Sequence, residues 1–427
     1  MLNESCRPEG FCQVAFAIAP IVEQHAEDAA FLWLQRDNAV CAPHYSLKDV
    51  AKLDDRVEAH VDGLRVAGDD GWALALEQLK HPEAGEYFAA MALALESGRK
   101  EKIAAVLELA QEEGPLRGVV SALGWVDWEV AKPAVAGLIA APEPRLRRIA
   151  IAACAIARQT PGAHLAKALA DADPALRARA CRAVGELARK DLLGEMAPLL
   201  ADKDENCRFW AAWSASLLGD PRGFAPLWKF VGRGGPHRSA GALAVLLRAL
   251  PPAQARDWLK TLGRDPERRR GAITGVGVYG DPAYVSWLIQ QMADAKFTRL
   301  AGEAFSMMIG ADLDSADLRG QRPEGFEGGP MDDPADPDVA LDPDDKLPWP
   351  DPERVAKWWA AERGAYAPGT RYLLGKPITP ESMAEILRSG RQRQRAAAAL
   401  ELTIRTGAML FEVRARGSLQ QQRLKPQ

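Results

Sequence analysis

The sequence predicts an all-α protein whose middle is a solenoid of repeated two-helix units. Three observations carry this. Strand formers are scarce, with only 6 Tyr and 11 Phe in 427 residues, while Ala, Leu, Arg and Glu abound. An arginine returns every 30 or 31 residues, at Arg117, Arg147, Arg177, Arg208, Arg238 and Arg269. Turn residues punctuate the intervals, as in the GDP at Gly219 to Pro221 and again at Gly280 to Pro282. A chain of 427 residues exceeds one ordinary core, so it divides into domains or extends as an array.

The first element is a helical N-terminal cap over residues 1–80. Its clearest helix is SLKDVAKLDDRVEAHVDGLRVAG, Ser46 to Gly68. Ser46 and Asp49 form a loose capping box, Gly68 can stop the helix, and Leu47, Val50, Leu53, Val57, Val61 and Leu64 fall on one helical face. The apolar run FCQVAFAIAPIV, Phe11 to Val22, lacks a basic flank and is interrupted by Pro20, so no signal peptide is expected. No run reaches 18 apolar residues, so no membrane span is expected, and the cytoplasm is the default location.

The solenoid is expected over residues 81–310. In phase lie PLRGVVSAL, RLRRIAIAA, ALRARACRA, NCRFWAAWS, PHRSAGALA and ERRRGAITG, each with its arginine third. Three positions later comes a small or β-branched residue: Val120, Ala150, Ala180, Ala211, Gly241 and Ala272. In the third unit, Leu176, Ala180, Val184 and Leu187 share one helix face, and Leu192, Met196 and Leu199 mark a second helix. One such helix pair cannot bury its apolar face alone, whereas stacked pairs bury it continuously. An acidic Pro/Gly/Asp-rich loop follows over residues 311–348. From Ala311 to Asp345 ten Asp and two Glu face only Arg319 and Arg322, a local net of −10 within a chain whose total is −4. A helical C-terminal module spans residues 349–427. Thr379, Pro380 and Glu381 open one of its helices, and eleven bases against four acids from Arg371 onward suit contact with the acidic loop.

These residues resemble a known family. The D-x-D-x-x-x-R stretch, the alanine-rich helix and the GDP turns look like HEAT repeats of the short, roughly 30-residue kind. EDAAFLWLQRD, DDRVEAHVDGLRVAG, WPDPERVAKWW, GTRYLLGKPIT and RQRQRAAAALEL together resemble an uncharacterised bacterial family of HEAT-repeat proteins often encoded near type VI secretion genes. That resemblance implies a setting and no residue-level activity.

Two readings compete for the six ladder arginines. Stacked guanidiniums can line a groove for phosphates or carboxylates, or each can tie its turn to neighbouring repeats. Acids stand shortly before several of them: Asp171 and Asp173 before Arg177, Asp204 and Glu205 before Arg208, Asp265 before Arg269. An acid-turn-arginine pattern suits bidentate pairing, so the structural reading is preferred. Arg145, Arg148, Arg179, Arg182 and Arg268 are candidates for a partner-binding surface, with Trp358 and Trp359 as candidate peptide contacts. His44, His60, Asp54, Asp55, Glu58 and Asp62 form the densest His/acid group, but Glu58 and His60 fall on different helix faces, a poor start for shared metal ligation. GVGVYG at Gly275 to Gly280 has the spacing of a nucleotide fingerprint but follows no strand. No catalytic, cofactor or metal residues are assigned. Of the six cysteines none forms a C-x-x-C pair, as expected for reduced thiols. The function expected is a non-enzymatic protein-binding scaffold or adaptor, with a secretion-system component or effector as partner. Nucleic acid bound on a basic concave face is the alternative, disfavoured by an isoelectric point near 6.0.

Overall fold

The computed structural model describes residues 18–233, 235–326, 328–329 and 342–425. The fold is all-α. Among the described residues the only sheet is a two-residue hairpin, Tyr372–Leu373 against Lys376–Pro377. The expected loop of residues 311–348 falls partly, and the apolar run from Phe11 mostly, outside the described residues. The described residues fall into two compact units, those within 1–35 and 53–134, and those within 36–52 and 135–427.

In the smaller unit the helices Ala84–Glu96 and Glu113–Trp125 lie unusually close. The reason is Gly118, where a Cβ would stand 2.1 Å from the Ala84 carbonyl oxygen. Aromatic rings fill the adjoining core. Trp33 stacks on Phe88 at 5.5 Å, and Phe88 meets Trp125 edge-on at 5.1 Å. Both indoles place their N–H, Trp33 on the Ser121 hydroxyl at 3.0 Å and Trp125 on the Glu58 carboxylate at 2.8 Å. The helix read from Ser46 spans Leu47–Val66, and Ser46 and Asp49 cap it reciprocally. Gly68, with φ of +61°, takes the left-handed turn that separates it from the next helix, Gly68–Gln78.

In the larger unit the first helices of successive repeats stack in chain order. They are Pro144–Ala157, Pro174–Glu186, Glu205–Leu217, Gly235–Ala249, Arg269–Tyr279 and Thr298–Ile309. Their small residues make this possible: Ala150, Ala180, Ala211 and Ala272 are fully buried where neighbouring helices meet. Leu176, Val184 and Leu187 of the third unit are buried, as are Leu192, Met196 and Leu199 of its second layer. That second layer is broken into short 3₁₀ and α turns, Lys190–Leu192, Leu193–Met196 and Ala197–Ala201. Pro198 and Gly194 in a stretch of twelve residues explain why a single regular helix does not form.

The C-terminal residues fold back onto the repeats of the same unit. The hairpin docks on two helix ends, with the Tyr372 N–H donating to the Gly280 carbonyl at 2.8 Å and the Leu374 N–H to the Met307 carbonyl at 2.8 Å. Gly280 and Gly310 end those helices at φ of +77° and +79°. Thr379 caps the helix Pro380–Ser389, and Gln392–Thr406 then packs along Gly235–Ala249. At that contact Glu401, buried, takes the Arg248 guanidinium at 3.4 Å and also pairs with Arg371. The ends of the acidic segment are pinned rather than loose. Asp344 pairs with Arg270, Asp342 with Arg299, and Asp312 with Arg391 at 3.0 Å. The Arg299 guanidinium also lies over the Trp349 ring at 4.4 Å.

Candidate functional site

The repeat arginines sit at one place in each unit, the fourth residue from the helix start in Pro144–Ala157, Pro174–Glu186, Glu205–Leu217 and Gly235–Ala249. From there the side chain reaches back over its own turn and forward to the next. Arg177 shows both directions. Its Nη1 donates to the carbonyls of Asp171 and Ala172, each at 2.9 Å, and its Nε and Nη2 grip the Asp202 carboxylate at 2.9 and 3.0 Å. The backward bonds satisfy carbonyls that the turn leaves unpaired. The forward pair is a bidentate, charge-assisted clamp between consecutive repeats.

The pairing differs from the expected one. The acids just before each arginine do not receive it through their carboxylates. Asp173 and Asp204 instead cap their helices, accepting from the Leu176 and Cys207 N–H groups at 2.7 and 2.8 Å. The carboxylate partner belongs to the following turn, 24 or 25 residues downstream. Arg147 takes Asp171 at 2.6 Å, Arg177 takes Asp202, and Arg269 takes Asp294 at 3.0 Å. Each D-x-D turn thus divides its labour. The first aspartate receives the previous repeat's arginine and braces the loop, through the Asp173 N–H for Asp171 and the Asp204 N–H for Asp202. The second starts the helix. The Arg177 hydrogen bond holds the Asp202 carboxyl below the usual carboxylate range.

The other rungs depart from this scheme. Arg117 lies over the Trp33 ring at 5.6 Å. Arg238 reaches back to Glu205 at 2.8 Å and to the Asn206 side chain at 2.5 Å. Arg208 holds the carbonyls of Asp202 and Lys203 at 2.8 and 2.9 Å, with no carboxylate within 4.0 Å among the described residues.

The candidate partner residues fall into separate environments. Arg179 and Arg182 both turn to the buried Glu186, at 2.9 and 2.8 Å, and Arg182 also covers the Trp210 ring at 4.6 Å. Burial opposes the charge on Glu186, but Arg179, Arg182 and Arg158 outweigh it and hold the carboxyl at about 2. Arg145 pairs with Glu143 at 2.7 Å, and Arg268 with Asp265 at 3.1 Å. Arg148 lies half-buried on the same helix as Arg147. Trp359 is buried beside Tyr366, and the half-buried Trp358 meets Phe305 edge-on at 5.8 Å. The structure therefore brings Arg179 and Arg182 together, and places the two tryptophans in the core beneath the C-terminal residues.

Glu186 and Glu401 escaped the sequence reading. Each is a lone acid in an alanine-rich helix, and no local signal marks it as the hub for several arginines. Among the described residues no group of three His, Cys, Asp or Glu side chains could hold a metal ion. His60 lies 3.2 Å from His25 and 3.6 Å from Asp28.

The stacked helix pairs and their arginine clamps define a helical-repeat protein. Residues 162–246 match the family model for HEAT repeats, a stretch that includes Arg177, Arg208 and Arg238. Over that stretch the chain is similar to HEAT repeats. No curated protein matches the chain. Among the described residues no helix is long and apolar enough to cross a membrane.

Proposed function

We infer that this protein is a non-enzymatic scaffold or adaptor that binds other proteins on the surface of its repeats. One observation supports the reading above others: consecutive repeats are clamped by Arg147–Asp171, Arg177–Asp202 and Arg269–Asp294, which fixes their relative angle. A solenoid held in this way offers a long, pre-organised surface, so a partner binds without first ordering the receptor. Binding of nucleic acid is less well supported. Arg145 and Arg268 each face an acid of this chain, and Arg179 and Arg182 share Glu186, so most of their charge is offset locally before any phosphate arrives.

The setting follows from the sequence resemblance alone: a bacterial cytoplasm, with a type VI secretion component or effector as the partner. The test is affinity capture of the tagged protein from its native cells, with and without nuclease, followed by mass spectrometry. A stoichiometric protein partner that survives nuclease is the expected result. Recovery of nucleic acid with no stable protein partner would overturn the scaffold reading. Deletion that leaves secretion of every co-encoded substrate unchanged would remove the secretion setting.

A further inference from the structure

The ladder has one rung where its charge pattern is reversed. Arg147, Arg177 and Arg269 each find an aspartate 24 or 25 residues on. Twenty-five residues after Arg208 the chain places Arg233. The guanidinium of Arg208 keeps its backward bonds to the turn, but its Nε and Nη2, the atoms with which Arg177 holds Asp202, bond to no described residue. At this place the structure has a pocket of about 220 Å³. Arg208, Lys229 and Arg233 line it, with apolar wall from Leu200 and Phe230. Lys229 and Arg233 are exposed and have no carboxylate within 4.0 Å among the described residues. The one acid in the lining, Glu205, is already held by Arg238 at 2.8 Å. Arg268, already paired with Asp265, packs its side chain beside Gly232 and leaves the three lining cations without a further acid among the described residues.

We propose that this pocket is a carboxylate-binding site, and that its occupant is an aspartate or glutamate side chain on an acidic segment of a partner protein. The proposal rests on the scaffold reading above. Three things select a carboxylate. The same arginine position holds a carboxylate in three other rungs, so the helix start already presents the fork in the matching geometry. Three cations around one opening cost free energy through mutual repulsion, and a bound anion relieves it. The apolar walls suit the methylene groups that carry an acid side chain, and the pocket has room for such a group with accompanying water. An acidic segment from outside thus completes the rung that the chain leaves open.

The test uses the full-length protein and a fluorescein-labelled hexaglutamate peptide, read by fluorescence anisotropy at two salt concentrations. Hexaglutamine serves as the uncharged control. The key variant is Lys229→Glu/Arg233→Glu. Both side chains are exposed, so the fold should survive, which circular dichroism checks. The wild type is expected to bind hexaglutamate and not hexaglutamine, more weakly as salt rises, and the double variant to bind at least tenfold more weakly. Equal binding by the variant overturns the site. Displacement of the peptide by inorganic phosphate at concentrations where acetate has no effect overturns the carboxylate assignment, because the pocket would then prefer a phosphoryl group. Affinity capture separates this proposal from the one beneath it. A native partner retained by the double variant refutes the pocket as its docking point and leaves the scaffold reading standing. Loss of hexaglutamate binding in the variant, with no partner captured even by the wild type, keeps the pocket and refutes the scaffold reading.

Discussion

Replacing Arg177 by alanine tests whether the ladder holds the repeats together. The substitution removes two bonds to turn carbonyls and the bidentate pair with Asp202. Arg177 is only 16% exposed and Asp202 8%, so solvent replaces little of what is lost. Hydrogen bonds to charged groups are each worth about 1.5–3 kcal/mol, and breaking a fully buried ion pair costs about 3–5 kcal/mol. Asp202 retains the Asp204 N–H, so its carboxylate is not orphaned. The expected cost is therefore about 2–4 kcal/mol. Arg208→Ala removes only carbonyl bonds and should cost about half as much. The assay is urea denaturation of both variants, together with a double-mutant cycle of Arg177→Ala and Asp202→Ala. A coupling of about 1–2 kcal/mol is expected. Hydrogen exchange should accelerate in Pro174–Glu186 and Glu205–Leu217 before distant helices respond, because solenoid repeats are stabilised by their neighbours. The sign of the pH effect is also set. Asp202 has a lowered pKa in the fold, so the clamp is fully present above the unfolded carboxylate pKa and is lost as pH falls through the folded one. A coupling under about 0.5 kcal/mol, or an Arg208→Ala variant as unstable as Arg177→Ala, refutes the clamp.

Three further outcomes follow from the buried polar groups. Glu186→Gln should destabilise by about 2–4 kcal/mol, since it leaves Arg179, whose side chain is only 14% exposed, without its counter-charge. With the Glu186 carboxyl at about 2 against an ordinary 4.5, the wild type should lose on the order of 3 kcal/mol from this group as pH falls from about 5 toward 2, and the variant should lack that part of its acid sensitivity in denaturation curves. Arg395, fully buried and pushed down to about 10 by desolvation, donates to the Leu387 carbonyl at 2.8 Å and to the Gln420 side chain at 2.6 Å. Arg395→Met should cost about 2–4 kcal/mol through those orphaned acceptors and open the residues around Gln420 to limited proteolysis; unchanged cleavage would count against it. Burial pushes the Cys154 and Cys207 thiols up to about 11 and about 12, so iodoacetamide at pH 8 should spare both in the native protein and label both after denaturation, as read by peptide mass mapping.

The all-α class and the phase of the repeats were legible in the sequence because both rest on local rules. Helical spacing of Leu176, Ala180, Val184 and Leu187 specifies a buried face from within one helix. Capping by Thr379, or by Ser46 with Asp49, spans only three residues. Even the recurrence of the arginines needs no more than an alignment of the chain with itself. What each arginine holds was decided by tertiary structure. Asp171 looks like a partner for the arginine that follows it, yet it receives the one before, as Asp202 does, because stacking sets each turn beside its predecessor's helix start. The gap at Arg208 becomes visible only once that rule is known, since one basic residue among many carries no mark in sequence. Glu401 meets Arg248 and Arg371 because the C-terminal helices fold back across the repeats. Hydrophobic periodicity places side chains on faces, but it leaves open which distant charges those faces bring within reach of one another. That choice belongs to packing, which must pair or expose each buried charge once the helices have met.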